Sequence, residues 1–257
     1  MYQQPRHVER VEDCDFYHAI ELPGLGLQKG RWDLRRDPAA YFGSEDVAGK
    51  TVLDVGTGSG FIGFEMEKRG ANVIAFDFAS SLGPRQHDLI PFHDFQQRFG
   101  ASREDFMRML ATGLDRMKNS YWLTHRLLQS KARVFYGDVY DCKADFGPVD
   151  VVFMGNILLH LASPVQAINT FAPRAREKVI VTETCWQKLD YKSDAPLCYL
   201  QASAERHDFA SWWQLTPGFL KQYLGVHGFT KFKLTFHAQR WVERSMDVKH
   251  FTLVASR

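Results

Sequence analysis

From residue 50 onward, short apolar runs alternate with longer amphipathic stretches. The runs are typical of strands buried on both faces of a sheet. After the first run, GFIGFEMEKRG predicts a helix that ends at Gly70. The runs are KTVLDV (50–55), ANVIAFD (71–77), ARVFYGD (132–138), VDVVFMGN (149–156), EKVIVTET (177–184), FTKFKLTF (229–236) and VKHFTLVAS (248–256). This order predicts an α/β fold with a doubly wound, mostly parallel seven-stranded sheet and an antiparallel closing strand.

Two stretches are longer than a simple crossover between strands requires. Residues 79–131 predict an inserted helix, which Ser102 caps and which covers one edge of a pocket. Its apolar stripe, which we interpret as core packing, comprises Phe106, Met109, Leu110, Leu114, Met117 and Tyr121. Residues 186–213 predict a lid at the carboxyl edge of the sheet. We therefore expect an N-terminal segment, 1–49, that covers the active site, and a domain, 50–257, with insertions at about 79–131 and 186–213.

The composition predicts a soluble cytoplasmic protein without a membrane partner. The chain is 45% hydrophobic, has no apolar run near the length of a membrane span, and begins too polar for a signal peptide. Its four cysteines include no CxxC pair, which indicates scattered reduced thiols rather than a zinc site. The formal net charge of +2 gives no strong case for binding nucleic acid, and the sequence does not indicate the oligomeric state.

A glycine-rich loop, TVLDVGTGSGFIG, follows the first run. Gly56, Gly58 and Gly60 allow a ligand to approach the backbone closely. Such loops bind either the pyrophosphate of a dinucleotide or S-adenosylmethionine. Asp54 favours S-adenosylmethionine, because a carboxylate there repels a pyrophosphate but accepts a hydrogen bond from the ammonium group of methionine.

Two further aspartates stand at strand ends and support the same cofactor. Asp77 ends the second run, where a carboxylate accepts the ribose hydroxyls, although a helix cap is the alternative. Asp138 ends the third run and is placed to accept from the adenine amino group, although a turn aspartate is the plainer alternative. The cofactor-binding set predicted from the residues is Asp54, Gly56, Thr57, Gly58, Gly60, Asp77, Phe78, Asp138 and Val139.

Several segments resemble a known family. VLDVGTGSG, GDVYD and GNILLHLASP resemble the class I methyltransferases, whose fold is Rossmann-like. FYHAIELPG, GRWDLR, NSYWLTHRLLQSKARVFYGDVYD, TET and SWWQLTPGFLKQYLGVHGF are similar to the family of tRNA wobble-uridine methyl- and carboxymethyltransferases, which has small-molecule relatives. The resemblance covers most of residues 16–232, but the chain is shorter at its N-terminal end than the carboxymethyl-transferring relatives and carries extra length around 85–120.

The resemblance implies a cofactor and a set of site residues. The cofactor is S-adenosyl-L-methionine, with S-adenosyl-L-homocysteine as the product. Asn156 joins the cofactor site with Gly56, Gly58, Asp77 and Asp138. Tyr17, His18, Trp32 and Arg35 close over the methyl group.

Three side chains are candidates for removing a proton from the acceptor. His160 follows the fourth run, Glu183 ends the fifth, and His18 comes from the N-terminal segment. Burial after VIVT would raise the pKa of Glu183 into the range of a base, so we favour Glu183 slightly as base or substrate anchor. Simple packing explains His160 equally well.

Aromatic and basic side chains indicate the character of the acceptor. Rings stabilise sulfonium and other cations, although any single ring is more often part of a core. The candidate rings are Tyr17, Trp32, Trp186, Trp212 and Trp213. Arg31, Arg35, Arg36 and the Arg85-Gln86-His87 triplet would suit an anionic group. Mg²⁺ is expected only as the companion of a diphosphate, because no ligand cluster argues for a protein-built metal site.

The favoured hypothesis is C- or O-methylation of a small, partly apolar and anionic molecule in a biosynthetic pathway. A second hypothesis is a tRNA wobble-uridine modifying methyltransferase, which would need a continuous basic surface. A third is a non-catalytic cofactor-binding module, and a fourth is an NAD-dependent reductase.

Overall fold

The computed structural model describes residues 1–79, 89–186 and 189–257. Its helices are α1 (Phe61–Lys68), α2 (Phe95–Phe99), α3 (Arg103–Leu127), α4 (Pro164–Phe171) and α5 (Pro217–Val226). Its strands are β1 (Ile20–Leu22), β2 (Gly26–Gln28), β3 (Trp32–Asp33), β4 (Thr51–Val55), β5 (Asn72–Phe78), β6 (Arg133–Gly137), β7 (Val149–Gly155), β8 (Ala175–Thr184), β9 (Cys198–Leu200), β10 (Trp213–Leu215), β11 (Lys231–Trp241) and β12 (Met246–Ser256).

The main sheet has the strand order β3, β11, β12, β8, β7, β4, β5, β6. Neighbours among β4 to β8 pair in parallel, and β12 runs antiparallel to both β8 and β11. The predicted doubly wound sheet with an antiparallel closing strand is confirmed. Among the residues that the structure describes, the sheet has eight strands rather than seven, because Trp32 and Asp33 of the N-terminal segment pair with Trp241 and Arg240. A two-residue strand is too short to show a period in the sequence.

Two hydrophobic cores, one on each face, explain why the strands are apolar on both sides. On one face, α1, part of α3 and the N-terminal segment cover residues such as Val52, Val73 and Phe153. On the other face, α4 and α5 cover residues such as Leu53 and Val152. The N-terminal segment is therefore part of the main core as well as a flank of the carboxyl edge.

The inserted helix predicted within residues 79–131 is confirmed as α3. The Ser102 hydroxyl accepts a hydrogen bond from the Asp105 N–H at 3.0 Å, which is the predicted cap. The interpretation of its apolar stripe as core fails at Met109, which is 58% exposed. The predicted lid contains β9, which pairs antiparallel with β10 where the lid ends.

The two inserted stretches pack against each other. The Phe209 ring lies 4.8 Å from that of Phe106 and 5.9 Å from that of Phe99, measured between ring centroids. The Arg98 guanidinium donates to the backbone carbonyls of Ala204 and Arg206. Segments predicted as separate additions therefore form one cap, because their aromatic residues bury one another.

Candidate functional site

The glycine loop joins β4 to α1 at the carboxyl edge of the sheet. Gly56, Gly58 and Gly60 all have positive φ, at 82°, 57° and 87°. A Cβ on Gly56 would lie 2.5 Å from Ile157, and one on Gly60 would lie 2.5 Å from Phe64. A Cβ on Gly58 would meet nothing closer than 3.9 Å. Protein side chains thus crowd the space beside the outer glycines, whereas a Cβ on the middle glycine would make only ordinary van der Waals contacts with Tyr17, His18 and Met117.

Asp54 lies beneath this loop with a side chain that is almost fully buried. Its Oδ2 accepts the Thr57 hydroxyl hydrogen bond at 2.7 Å. Burial raises the pKa of Asp54 to about 7, while the Thr57 hydrogen bond opposes the rise. The carboxyl group therefore changes charge near neutral pH, where a nearby cation would favour its ionised form.

Asp77, at the end of β5, binds the glycine loop directly. Its Oδ2 accepts the Gly58 N–H at 2.8 Å, and its Oδ1 accepts the Phe78 N–H at 2.8 Å. Burial raises the pKa of Asp77, and these two hydrogen bonds lower it again. Since an ionised carboxylate has about four acceptor positions, two remain for a ligand's hydroxyls.

The N-terminal segment brings Tyr17 and His18 next to Gly58. Both side chains, together with the Met117 sulfur, lie 3.9–4.0 Å from the position of a Cβ on that glycine. The Ser59 hydroxyl accepts the His18 backbone N–H at 3.1 Å, which fixes the segment to the loop. Burial lowers the pKa of His18 to about 4, so its imidazole is neutral at pH 7 and is a weak base.

Asn156 forms hydrogen bonds with the backbone at the end of β8, the strand that carries Glu183. It has a positive φ of 55°, which asparagine tolerates better than most residues. Its N–H donates to the Thr182 carbonyl at 2.6 Å, and its Oδ1 accepts the Thr184 N–H at 3.1 Å. These bonds hold the end of β7 to the end of β8, so Asn156 fixes the backbone on both sides of Glu183.

Asp138 and Val139 follow β6. The Asp138 Oδ1 accepts the Tyr140 N–H at 2.8 Å, which is a local turn contact that leaves other acceptor positions on the carboxylate. Val139 is buried against Cys142 and Phe146 on the second face of the sheet. Their predicted adenine contacts stay predictions.

An aromatic row extends from the glycine loop to the end of β8. The Trp32 backbone N–H donates to the Tyr17 backbone carbonyl at 3.1 Å, which holds the two residues side by side. The Trp32 ring stacks on Trp241 with centroids 5.4 Å apart, and Trp241 meets Trp186 edge-to-face at 5.4 Å. The sequence predicted Tyr17, Trp32 and Trp186 as candidate site residues but not Trp241. The residues around Trp241, at the end of β11, contain no motif that sets it apart from other aromatic residues of the chain.

Glu183 is buried at the end of β8, next to the loop after β7. Its Oε1 accepts the Leu158 N–H at 2.8 Å. Burial nevertheless raises the pKa of Glu183 to about 8, as the sequence predicted in direction. The carboxyl group thus supports the turn at Leu158 and is mostly protonated at neutral pH.

His160 and the two lid tryptophans form a separate set of contacts. The His160 Nδ1–H donates to the Ala210 carbonyl at 2.9 Å, which leaves Nε2 as the basic nitrogen. Burial lowers the pKa of His160. The Trp212 N–H donates to the Leu159 carbonyl, and the Trp213 indole donates to the Ala162 carbonyl at 3.1 Å. These bonds fasten the lid to the loop after β7.

The predicted arginines lie in ion pairs. Arg35 binds Asp33 with two hydrogen bonds, at 2.9 and 2.7 Å, and lines a surface cleft of about 800 Å³ beside α1. Arg31 pairs with Asp15 at 3.2 Å. Arg35 is therefore not part of the row of aromatic residues. The Arg85-Gln86-His87 triplet lies outside the described residues.

No protein-family model and no curated protein matches this chain. Among solved structures, magnesium protoporphyrin IX methyltransferase from Synechocystis PCC 6803 with bound S-adenosylhomocysteine is 14% identical, covers 87% of this chain and 81% of its own, and has a TM-score of 0.51. The chain has the fold of the class I methyltransferases. A SAM-dependent methyltransferase from Aquifex aeolicus is 15% identical, with a TM-score of 0.48 over 86% of this chain and 89% of its own. The 1,6-didemethyltoxoflavin N1-methyltransferase from Burkholderia thailandensis is 13% identical, with a TM-score of 0.46 over 86% of this chain and 77% of its own.

The residues at the carboxyl edge of this fold fit S-adenosylmethionine. Asp77 offers acceptors for ribose hydroxyls beside the N–H of Gly58, and Asp54 is a buried carboxyl group whose charged form an ammonium group would favour. Within residues 1–79, 89–186 and 189–257, no group of three or more His, Cys, Asp or Glu side chains could hold a metal ion. No helix in the same ranges is long and apolar enough to cross a membrane.

Proposed function

We propose that this chain is an S-adenosylmethionine-dependent methyltransferase whose acceptor is a small, mostly apolar aromatic molecule, methylated on carbon or oxygen in a biosynthetic pathway. The observation that carries the proposal is the arrangement around Gly58. Its N–H donates to Asp77 at 2.8 Å, and Tyr17 and His18 border the same glycine. A ribose held by Asp77 would place the rest of the cofactor beside this glycine and these two side chains.

The cofactor contacts follow from this placement. Asp77 accepts the ribose hydroxyls, Phe78 and Asp138 flank the adenine, and Asp54 attracts the methionine ammonium. The cofactor supplies a methyl group on a sulfonium. The residues of the chain then align the acceptor with that methyl and exclude water, as an in-line displacement requires.

The aromatic row supports a flat, apolar acceptor. It begins with Tyr17 at the glycine loop and continues through Trp32 and Trp241 to Trp186, which lies three positions after Glu183. Ring faces in such a row attract both an aromatic acceptor and a developing cation, the latter by up to about 2 kcal/mol per ring when water is excluded. This row is what favours a small molecule as acceptor.

The anionic character expected from the sequence receives no support from Arg31, Arg35 and Arg36. Each pairs with at least one protein carboxylate, for example Arg35 with Asp33 at 2.7 Å and Arg36 with Asp247 at 3.5 Å. An anionic acceptor would have to displace these partners. The proposal therefore rests on the apolar side of the acceptor alone.

Two buried groups near the loop after β7 are suited to take a proton from the acceptor. Glu183 has a pKa of about 8, and His160 presents Nε2 as its basic nitrogen. Glu183 is the stronger base when it is ionised, so we propose that Glu183 accepts the proton from the acceptor and that His160 is the second candidate. A pKa of about 4 makes His18 a poor base. We therefore assign His18 the role of shielding the methyl group.

The first experiment measures cofactor binding by isothermal titration calorimetry with S-adenosylhomocysteine and with NAD⁺. We expect binding of the former only. Asp77→Ala should weaken it at least about tenfold, because the ribose hydroxyls lose a charged acceptor. Asp141→Ala is the matched control, since that side chain is 65% exposed. Tight binding of NAD⁺ without binding of S-adenosylhomocysteine would show the proposal to be wrong.

The second experiment tests the acceptor with methyl-labelled S-adenosylmethionine. The panel contains phenols, indoles and quinones, with unmodified tRNA as the competing class. We expect label in a small aromatic compound and a raised KM for it in Trp241→Ala, with cofactor affinity unchanged. Label in tRNA alone would refute the small acceptor, and cofactor binding with no transfer to either class would favour a non-catalytic module.

The third experiment separates the proton acceptors once an acceptor is known. Glu183→Gln should lower the rate of methyl transfer by about 10²–10⁴-fold while leaving the Kd of S-adenosylhomocysteine unchanged. The wild-type rate should rise with pH to a plateau above about 8. Normal turnover in Glu183→Gln would remove Glu183 from the mechanism and leave His160→Asn as the decisive variant.

A further inference from the structure

Gln214 is a buried amide at the point where the lid ends. It is the second residue of β10, and its side chain is only 2% exposed. A buried carboxamide needs hydrogen-bond partners within the protein, because water does not reach it. The partners of Gln214 therefore show which parts of the lid it joins.

The oxygen of the Gln214 side chain binds the first part of the lid. Its Oε1 accepts the Tyr191 hydroxyl hydrogen bond at 2.9 Å and the Trp186 backbone N–H at 3.4 Å. A backbone N–H can only donate, which identifies the shared atom as the amide oxygen rather than the amide nitrogen. One oxygen atom thus holds two residues at the start of the lid.

The nitrogen of the same side chain binds the second part of the lid. Its Nε2 donates to the Oε1 of Gln201, another buried residue, at 2.8 Å. The Gln201 backbone N–H donates to the Trp212 carbonyl at 2.7 Å, and the Trp212 N–H donates to the Leu159 carbonyl at 2.8 Å. The Gln214 carboxamide therefore connects the start of the lid with its end and with the loop after β7.

The two residues held by the Gln214 oxygen lie beside the end of β8. Trp186 ends the aromatic row, with its ring 5.4 Å from that of Trp241. The Tyr191 ring lies 5.9 Å from that of Phe251, measured between centroids, and Phe251 is the cross-strand partner of Glu183. Cross-strand partners point to the same face of a sheet. Gln214 thus fixes one ring of the aromatic row and one ring that packs on the neighbour of Glu183.

We propose that Gln214 is a positioning residue of the acceptor site, whose carboxamide holds Trp186 and Tyr191 beside the end of β8 and so gives the acceptor a preformed wall. This inference rests on the proposed function. Gln214 acts through the two aromatic residues that it binds. It therefore adds β10 to the elements that determine acceptor affinity.

The test uses steady-state kinetics with the phenol, indole or quinone that accepts the methyl label. The proteins are wild type, Gln214→Met, Tyr191→Phe and the double variant, with Gln97→Met, at an exposed position of α2, as a matched control. Gln214→Met should raise KM about five- to twentyfold and lower kcat less than about threefold, because the wall loses hydrogen bonds but the reacting groups remain. Gln97→Met should behave as wild type.

Tyr191→Phe is the milder variant, because it removes only the hydroxyl group. It should raise KM about two- to fivefold in the wild-type background and less than about 1.5-fold in the Gln214→Met background. The Kd of S-adenosylhomocysteine should stay within about twofold of wild type, because Asp77 lies on β5, three strands from β8 in the main sheet. Equal increases of KM in both backgrounds, or a parallel rise of KM and of this Kd, would overturn the inference.

A second readout needs no acceptor. ¹⁹F NMR of protein labelled with 5-fluorotryptophan reports on Trp186, whose resonance is identified by its loss in Trp186→Phe. This resonance should shift or broaden in Gln214→Met, whereas that of Trp122, which is buried on α3, should not move. An unchanged Trp186 resonance would disprove that Gln214 positions it. Absence of methyl transfer to every small aromatic compound would instead refute the proposed function, so the two failures are distinguishable.

Discussion

Replacing Glu183 by glutamine should make the stability of the protein less dependent on pH. The carboxyl group is 2% exposed and has a pKa of about 8, against an ordinary value of 4.5. Between these two values the folded state holds a proton that the unfolded state has lost. Since stability falls with pH wherever the folded state binds more protons, Glu183 lowers stability as pH rises, by at most about 1.4 kcal/mol per pH unit.

From pH 5 to pH 8 this amounts to roughly 3 kcal/mol for one group with these two pKa values. Glutamine keeps an oxygen that accepts the Leu158 N–H, but it cannot ionise. The free energy of unfolding of Glu183→Gln, minus that of wild type, should therefore be larger at pH 8 than at pH 5 by roughly 3 kcal/mol.

Urea denaturation at both pH values measures this difference, with Glu104→Gln as a control whose side chain is 82% exposed. Contributions from Asp54, Asp77 and other groups cancel in the subtraction because they are present in both proteins. A difference that is the same at pH 5 and pH 8 would refute the burial and the raised pKa of Glu183 together.

Three further predictions concern the glycine loop and its surroundings. Gly58→Ala should destabilise the fold by about 1–2 kcal/mol because Gly58 has a positive φ. Gly60→Ala should cost roughly 1–3 kcal/mol more, because its Cβ would also lie 2.5 Å from Phe64. Thermal unfolding compares the two variants, and equal losses of stability would contradict the geometry. Affinity for S-adenosylhomocysteine should rise with pH through about 7 in wild type but not in Asp54→Asn, since the ammonium group of the ligand favours the ionised carboxylate. Calorimetry measures the affinity as a function of pH. The same pH dependence in both proteins would exclude a contact between Asp54 and the ammonium group. Tyr121→Phe should leave the melting temperature unchanged or raise it, because the buried Tyr121 hydroxyl makes no hydrogen bond to any described residue. A clearly lower melting temperature would show that the hydroxyl has a hydrogen-bond partner.

Local sequence determined the seven longer strands of the main sheet, the helix between the first two of them, the glycine loop and the cap of α3. Buried parallel strands must be apolar on both faces, and helix caps need a side-chain acceptor, so both leave a signature within a few residues. The positions of the carboxylates at the strand ends could also be predicted from the sequence, because each strand ends where its apolar run ends. Asp54 and Asp77 therefore lie beside the glycine loop as the pattern predicted.

Tertiary structure alone decided which distant residues meet. Trp241 stacks on Trp32, Phe209 packs on Phe106, and the Lys118 ammonium lies over the Tyr136 ring. These outcomes depend on chain segments that are far apart in sequence and close only after the sheet has formed. A periodic pattern records which face of an element is buried, but it does not record which other element covers that face.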